Sequence, residues 1–418
     1  MSEAPPIVGE MTEQLIIRAR SVDDVVEAVG RARREGLGIT VVAGGHGPWS
    51  RNPDEGMRIE LSAIAGIDID GTTVRVGGGA TWGAVAARLA DHGLAISSGD
   101  TASVGVGGLT LGGGIGWMTR LWGLAVDQLV GAQVVTASGE VVETSATRHS
   151  GLFWGLRGGG GNFGVVTRFD FAAHPLPAIV HAEYSGDTDA AALLRATREA
   201  LRDAPRELTV TYMDVPPMDP SAPAGARLIA VWAGAEEDAL REVLAPIGAL
   251  DGVETAITTP AYRDILMEMP QPDDPDQQPP GFIGGNGLFA ELDDDLIARL
   301  IAFRADHPAS VVFLRSLGGA FGEVPQESTA FPARDATWFV MAGGFDIPGL
   351  VDDGARAAIA ADWSRIEAGR LAEYGNFADT ERPEAVPGMF TGAAYERLRA
   401  VKAEWDPQNV FRRNHNIV

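Results

Sequence analysis

Three stretches of this chain combine residue types that could do chemistry. The first is Val41 to Trp49, VVAGGHGPW, where two β-branched residues run into a Gly pair, a single His and Gly-Pro. That order reads as a buried strand ending in a tight turn that presents one imidazole, His46. An isolated GGH is most often a turn histidine that solvates one edge of its ring, so a larger role for His46 has to come from the rest of the chain. The second stretch is glycine-dense: Gly105, Gly107, Gly108, Gly112, Gly113, Gly114 and Gly116 crowd into twelve positions. So many glycines disfavour a helix or strand interior. They let the backbone approach a ligand and aim N–H groups at it, as a phosphate or pyrophosphate requires. A flexible linker would not be interleaved with Val104, Val106, Leu109, Leu111, Ile115 and Trp117.

The third stretch is RGGGGNFG, Arg157 to Gly164, in which Gly159, Gly161 and Gly164 satisfy GxGxxG. A Rossmann fingerprint needs a strand before it and a helix after it. Here Ser150 to Leu156 (SGLFWGL) reads as helix and Val165 to Phe171 (VVTRFDF) as strand. The order is inverted, so any dinucleotide site belongs to a different fold.

The elements that must position these stretches are legible on either side. Residues 12 to 19 read as a short strand, and Ser21 with Asp23 and Asp24 opens a helix that Gly36-Leu37-Gly38 stops. Ile39 to Val42 is the strand that leads to His46. Short strands follow at Met57–Leu61, Ile67–Ile69, Thr73–Val76 and Leu94–Ile96, with a Thr81-capped helix over Ala80–Asp91. The two prolines of His174-Pro175-Leu176-Pro177 mark a boundary. Beyond it Ala190–Ala204 and Glu236–Leu250 read as amphipathic helices, and Glu207–Met213, Ala226–Trp232 and Val311–Leu317 as alternating strands. That mixture predicts an antiparallel sheet with helices over one face, an α+β arrangement. The acidic, proline-rich run Gln271 to Gly281 reads as a mobile loop rather than a lid. The last helix spans Ala393 to Glu404, with Tyr395, Leu398 and Val401 on one face.

Composition narrows the function. The 418 residues are enough for two domains, and 45% apolar with 22% charged residues is a soluble globular balance. A net charge of −24 argues against nucleic acid or an anionic membrane as partner and favours a small neutral or cationic ligand. No cysteine is present, which excludes disulfides, thiolate metal sites and thiol nucleophiles, and the seven histidines show no metal-binding pairing. The opening MSEAPPIVGEMTEQ has neither a basic nor an apolar signal region, so the expected location is cytoplasmic.

Taken in order, the strand-GGH, the VGxGGxxxGGGxG loop and the helix-RGGGGNFGVV-strand resemble the vanillyl-alcohol oxidase and p-cresol methylhydroxylase superfamily of flavoproteins. Within it the berberine-bridge-enzyme-like FAD oxidoreductases, and their bacterial hydroxynicotine-oxidase-like members, are most similar. The resemblance covers nearly the whole length. It implies a p-cresol-methylhydroxylase-type FAD-binding domain over residues 1–177, completed by 379–418, and a substrate-binding domain over 178–378. It implies that His46 bonds covalently to the methyl group of the flavin ring. Relatives with two links add a cysteine where Thr101 stands, so the link here is single. Gly44, Gly45 and Gly47 would cradle the pyrophosphate together with the Val104 to Gly116 loop, and Val42, Ala43, Thr101 and Ala102 also belong to the implied cofactor site. Many relatives carry a His where Leu109 stands. Gly161, Asn162, Gly164 and Val166 match the segment beside the adenosine.

Three further segments carry the resemblance. Gly318 to Val340 matches the substrate-domain sheet above the flavin, where Phe321, Phe331, Trp338 and Phe339 could line an aromatic pocket or form ordinary core. YGNFAD, Tyr374 to Asp379, resembles a YxNYxD stretch whose tyrosine commonly serves as base; Phe377 cannot take a proton, which leaves Tyr374 as the catalytic candidate. WDPQNVFRRNHNIV, Trp405 to Val418, resembles the terminal DPxNxFxxNQNI, which places Asn414 and Asn416 near the flavin. The implied function is an FAD-dependent oxidase that takes hydride from a C–N or C–O carbon of a small organic substrate. Molecular oxygen would then reoxidise the flavin and give hydrogen peroxide. A tailoring enzyme of secondary metabolism and a non-catalytic binding protein on the same scaffold are the alternatives.

Overall fold

The computed structural model describes residues 15–47, 56–216, 225–268, 281–347, 349, 351–378 and 383–418. Pro48, Trp49, residues 271–280 and Asp379 lie outside them. The chain begins with Leu15–Arg18 and a helix over Val22–Glu35. Ser21 caps that helix reciprocally: its hydroxyl accepts from Asp24 N while the Asp24 carboxylate accepts from Ser21 N. Gly36, at φ 70°, ends it in the left-handed conformation that suits glycine. Ile39–Val42 then joins a three-stranded parallel sheet, ordered Leu15–Arg18, Met57–Glu60, Ile39–Val42. Its end delivers the chain to His46.

A five-stranded antiparallel sheet runs Ile67–Asp70, Thr73–Gly77, Val165–Ala172, Leu129–Val135, Val141–Ser145. The central strand is the one that follows RGGGGNFG, so the third glycine stretch is anchored in the middle of a sheet. The helix Ser150–Leu156 precedes that stretch, the inverted order read from the sequence. Trp82, Leu89, Phe163, Phe169 and Phe171 fill the core beneath, and Leu398, Val401 and Ile417 from the far end of the chain complete it.

The middle of the chain forms a seven-stranded antiparallel sheet, ordered Val253–Thr258, Val180–Gly186, Gly225–Trp232, Leu208–Val215, Ser310–Ser316, Trp338–Asp346, Gly281–Phe289. Alternation gives it two unlike faces. Val312, Leu314, Val340 and Ala342 pack with Leu193, Leu300 and Trp363 of the helices Ala190–Leu201, Asp294–Asp306 and Asp353–Glu367. Phe313, Phe339 and Met341 lie on the other face, clustered with Ile115, Leu124 and Tyr374.

Two expectations are corrected. Glu236–Leu250 is two short helices, Glu237–Val243 and Ala245–Gly248, because Pro246 cannot donate into a continuous helix and starts a second one. The second glycine stretch contains a helix after all, Val106–Leu111. Its buried Val106 and Leu111 sit in the core and Val106 N bonds to Ala80 O at 2.9 Å, so packing overrides the poor propensity of Gly107 and Gly108.

Buried charges lock the parts together. Arg120 donates to the carbonyls of Leu208 at 2.7 Å, Leu317 at 2.5 Å and Ala204 at 3.0 Å. Arg334 grips both Asp127 oxygens at 2.8 and 2.7 Å. Lys402 Nζ donates to Asn162 O at 2.9 Å, Asp406 Oδ2 at 2.7 Å and Phe411 O at 2.9 Å, which ties the last helix to the third glycine stretch. Replacing Lys402 with Met leaves the Asp406 charge buried without its partner. The expected cost is roughly 3–5 kcal/mol, read as a fall in denaturant midpoint.

Burial also holds the His174 and His181 imidazoles below the usual histidine range. As pH falls through about 6.5 the unfolded chain takes up these protons and the folded chain does not, so this share of stability is present above that pH and lost below it. His174→Phe keeps a ring against Trp122, on which His174 stacks at 4.6 Å, and removes one titration. Its urea midpoint should fall less than that of the unaltered protein between about pH 7.5 and 5.

Candidate functional site

The three glycine stretches meet at one cavity of about 1260 Å³, its mouth included. Val42, Ala43, Gly44, Gly45 and His46 form one wall, and Val104, Gly105, Gly107, Gly108, Leu109 and Gly112 a second. Gly161, Asn162, Gly164 and Val166 form a third, closed by Asn414 and by Tyr374. The first two walls touch through bare backbone: a Cβ on Gly44 would lie 2.3 Å from Gly105 N, and one on Gly105 would lie 2.4 Å from Gly44 N. His46 Nε2 is 3.0 Å from Ser103 Oγ, so the turn and the loop also share a side-chain contact.

Seven expected residues do not line the cavity. Gly116 is needed for packing, since a Cβ there would overlap Ser98 O at 1.4 Å. Gly113 and Gly114 hold φ of 129° and 91° against Phe331 and Ala125. Thr101 and Ala102 are drawn toward the middle of the chain, where Ala102 N donates to Met267 O at 3.0 Å. Gly47 and Asn416 lie outside the lining as well. Of the expected aromatic pocket, Phe331 lines the cavity, Phe321 is core, and Trp338 faces the helical layer. Phe339 is buried beside Tyr374, their rings 5.7 Å apart.

Tyr374 is 2% exposed and its hydroxyl oxygen accepts from Gly114 N at 3.0 Å, Ile115 N at 3.3 Å and Asn376 Nδ2 at 2.8 Å. Burial pushes this phenol up, and those donors offset only part of the effect. Phe377 is 54% exposed and lies 5.4 Å from Phe339, ring to ring. Sequence reasoning missed several lining residues, among them Gly158, Asn376, Met389, Phe390 and His415. Asn376 stands inside the YGNF motif, and His415 occupies the Gln position of NQNI, so both were within reach. Met389 and Phe390 carry no pattern that marks them. His415 Nε2 donates to Gly375 O at 2.7 Å, and Asn162 Nδ2 donates to His415 O at 3.0 Å.

Comparison with known proteins shows the family of the chain. Residues 13–145 match the model of an FAD binding domain, and residues 373–418 that of berberine and berberine-like proteins. The chain is 30% identical to (R)-6-hydroxynicotine oxidase of Paenarthrobacter nicotinovorans, over 96% of this chain and 90% of that one. The chain belongs to the berberine-bridge-enzyme-like FAD-linked oxidoreductases. Glucooligosaccharide oxidase of Sarocladium strictum is 28% identical over 94% of this chain and 84% of its own. Among solved structures, a chitooligosaccharide oxidase superposes with a TM-score of 0.85 at 25% identity, covering 97% of this chain and 92% of the other. The structure of 6-hydroxy-D-nicotine oxidase from Arthrobacter nicotinovorans gives 0.80 at 26% identity, covering 96% and 91%.

The residues of this berberine-bridge-like chain fit FAD. Glycine backbone forms much of the cradle, and the buried Oδ1 atom of the lining Asn414 has no protein hydrogen-bond partner among the described residues. Gly108 tests the fit, because a Cβ there meets no protein atom within 4 Å and the residue lines the cavity. Gly108→Ala should leave the thermal stability of flavin-free protein unchanged or slightly higher, as alanine suits a helix. It should lower the flavin content of purified protein, read from the ratio of visible to ultraviolet absorbance.

Proposed function

We propose that this oxidoreductase is an oxidase that carries FAD on a single covalent bond to His46 and acts on a small organic molecule. The observation that carries the reading is the convergence of His46, the two bare-backbone walls and the terminal asparagine on one cavity. Bound FAD supplies the hydride acceptor for a carbon bearing nitrogen or oxygen, and molecular oxygen returns it to the oxidised state with release of hydrogen peroxide. Support for the histidyl bond comes from a relative whose structure is described as 6-S-cysteinyl, 8α-N1-histidyl FAD in glucooligosaccharide oxidase; it superposes with a TM-score of 0.79 at 26% identity. This chain has no cysteine, so His46 alone remains.

The protein's own work is to hold the cofactor, keep water from the reacting carbon and present that carbon at a fixed distance. Gly44, Gly45 and Gly105 take the pyrophosphate, and Gly161, Asn162 and Gly164 the adenosine side. The substrate sits over the sheet face that carries Phe313, beside Phe377 of the short helical turn Gly375–Phe377. An amine fits this site better than an alcohol. Its nitrogen lone pair assists hydride loss, whereas a hydroxyl needs a base. Phe377 offers none, and the acceptor capacity of the Tyr374 oxygen is taken up by Gly114, Ile115 and Asn376. Burial outweighs those donors and keeps the proton on Tyr374, whose oxygen positions the loop through the Gly114 and Ile115 amides.

Acid-precipitated protein should stay yellow, and its band should fluoresce on a denaturing gel. His46→Ala should abolish both signals and leave only loosely held FAD. Loss of colour from the unaltered protein would refute the covalent bond. Tyr374→Phe separates positioning from base catalysis. As a positioning residue, its loss lowers the melting temperature and slows flavin reduction by an amine by less than about 10-fold with the pH profile kept. A fall of roughly 10²–10⁴ together with loss of the basic limb would instead make Tyr374 the base.

A further inference from the structure

The sheet face turned toward the flavin domain bears a charged pair that the hydride step does not use. Arg315 lies opposite Phe339 and Thr211 in the strand register and is 2% exposed. Its guanidinium stacks 4.3 Å from the Trp117 ring, with the Phe313 ring at 5.4 Å. Nε donates to Thr211 Oγ1 at 2.9 Å, and Nη2 donates to Asp100 Oδ2 at 2.8 Å. The pairing is one-sided: among the described residues, Arg315 Nη1 and Asp100 Oδ1 take no hydrogen-bond partner. The Asp100 side chain remains 22% exposed, and Phe339, opposite Arg315 in the strand register, packs 5.7 Å from Tyr374 of the cavity wall. A buried guanidinium with an unused N–H beside a carboxylate with an unused oxygen is an unfinished recognition surface at the edge of an aromatic floor.

The chemistry of the pair selects its ligand. Arg315 and Asp100 together carry no net charge. A ligand carboxylate would gain from Arg315 but be repelled by Asp100, and an ammonium the reverse. A group with an acceptor oxygen beside an N–H donor satisfies both atoms and brings no charge to desolvate. We propose that Asp100 and Arg315 are the specificity-determining pair of the substrate pocket and recognise a neutral carboxamide on an aromatic substrate whose ring lies against Phe313 and Phe377. This rests on the oxidase reading above for where the substrate lies.

Calorimetric titration of flavin-loaded protein with benzamide and with benzoate tests the proposal without any turnover. Benzamide should bind at least roughly 10-fold more tightly, the worth of one hydrogen bond to a charged group. Asp100→Asn keeps the shape but leaves Arg315 as an uncompensated cation, so the preference should reverse toward benzoate. Equal affinity, tighter benzoate binding or no binding of either probe by the unaltered protein overturns the proposal. So does a folded Asp100→Asn protein that keeps the benzamide preference. Should that variant not fold, the comparison on the unaltered protein decides alone. Failure of every amine to reduce the flavin counts against the oxidase reading, not against this pair.

Discussion

One buried ammonium group holds two walls of the cavity together. Lys402 has three protons to place, and each finds an oxygen: the Asn162 carbonyl, the Asp406 carboxylate and the Phe411 carbonyl. Asp406 in turn accepts from Val410 N at 2.8 Å and Phe411 N at 2.9 Å, so the turn after the last helix is built around the ion pair. Asn162 then reaches the end of the chain, accepting from Ile417 N at 3.1 Å. Burying a cation is costly unless every proton is satisfied, and here full satisfaction also fixes where two distant segments meet. The cavity walls that carry Asn162 and Asn414 therefore stand in register with each other.

The opposite side of the cavity depends on alternation within one sheet. Each strand sends one set of side chains into the helical layer and the other toward the flavin domain. The first set forms a core with the helices, which leaves the second to carry Phe313, Phe339 and Arg315. Arg120, reaching across to the carbonyls of Leu208 and Leu317, ties the segment after the second glycine stretch to this sheet. Positioning and recognition are thus divided between residues one step apart along the same strands.

Much of this was legible in the sequence, for identifiable reasons. Ser21 with Asp24, Thr81 and Gly36 are local signals, and the structure uses them where they stand. The inverted helix-GxGxxG-strand order excluded a Rossmann site because that argument needs only neighbouring elements. Glycine density revealed the cradle but not which glycines face the ligand. Gly108 opens into the cavity while Gly116 presses on Ser98, and only the folded chain distinguishes them. Met389, Phe390 and the Asp100–Arg315 pair escaped notice because their partners lie far away in sequence. The Val106–Leu111 helix defied its glycines because burial decides more than propensity in so short a segment.

The knot at Lys402 also bears on the order in which the cavity can be built. Ribosomes release residues in order, and the wall of Arg413 to His415, with the lysine that seats it, is made long after the glycine stretches on which it closes. A chain cut before Lys402 therefore lacks one whole wall of the cavity, whatever its earlier stretches have folded into.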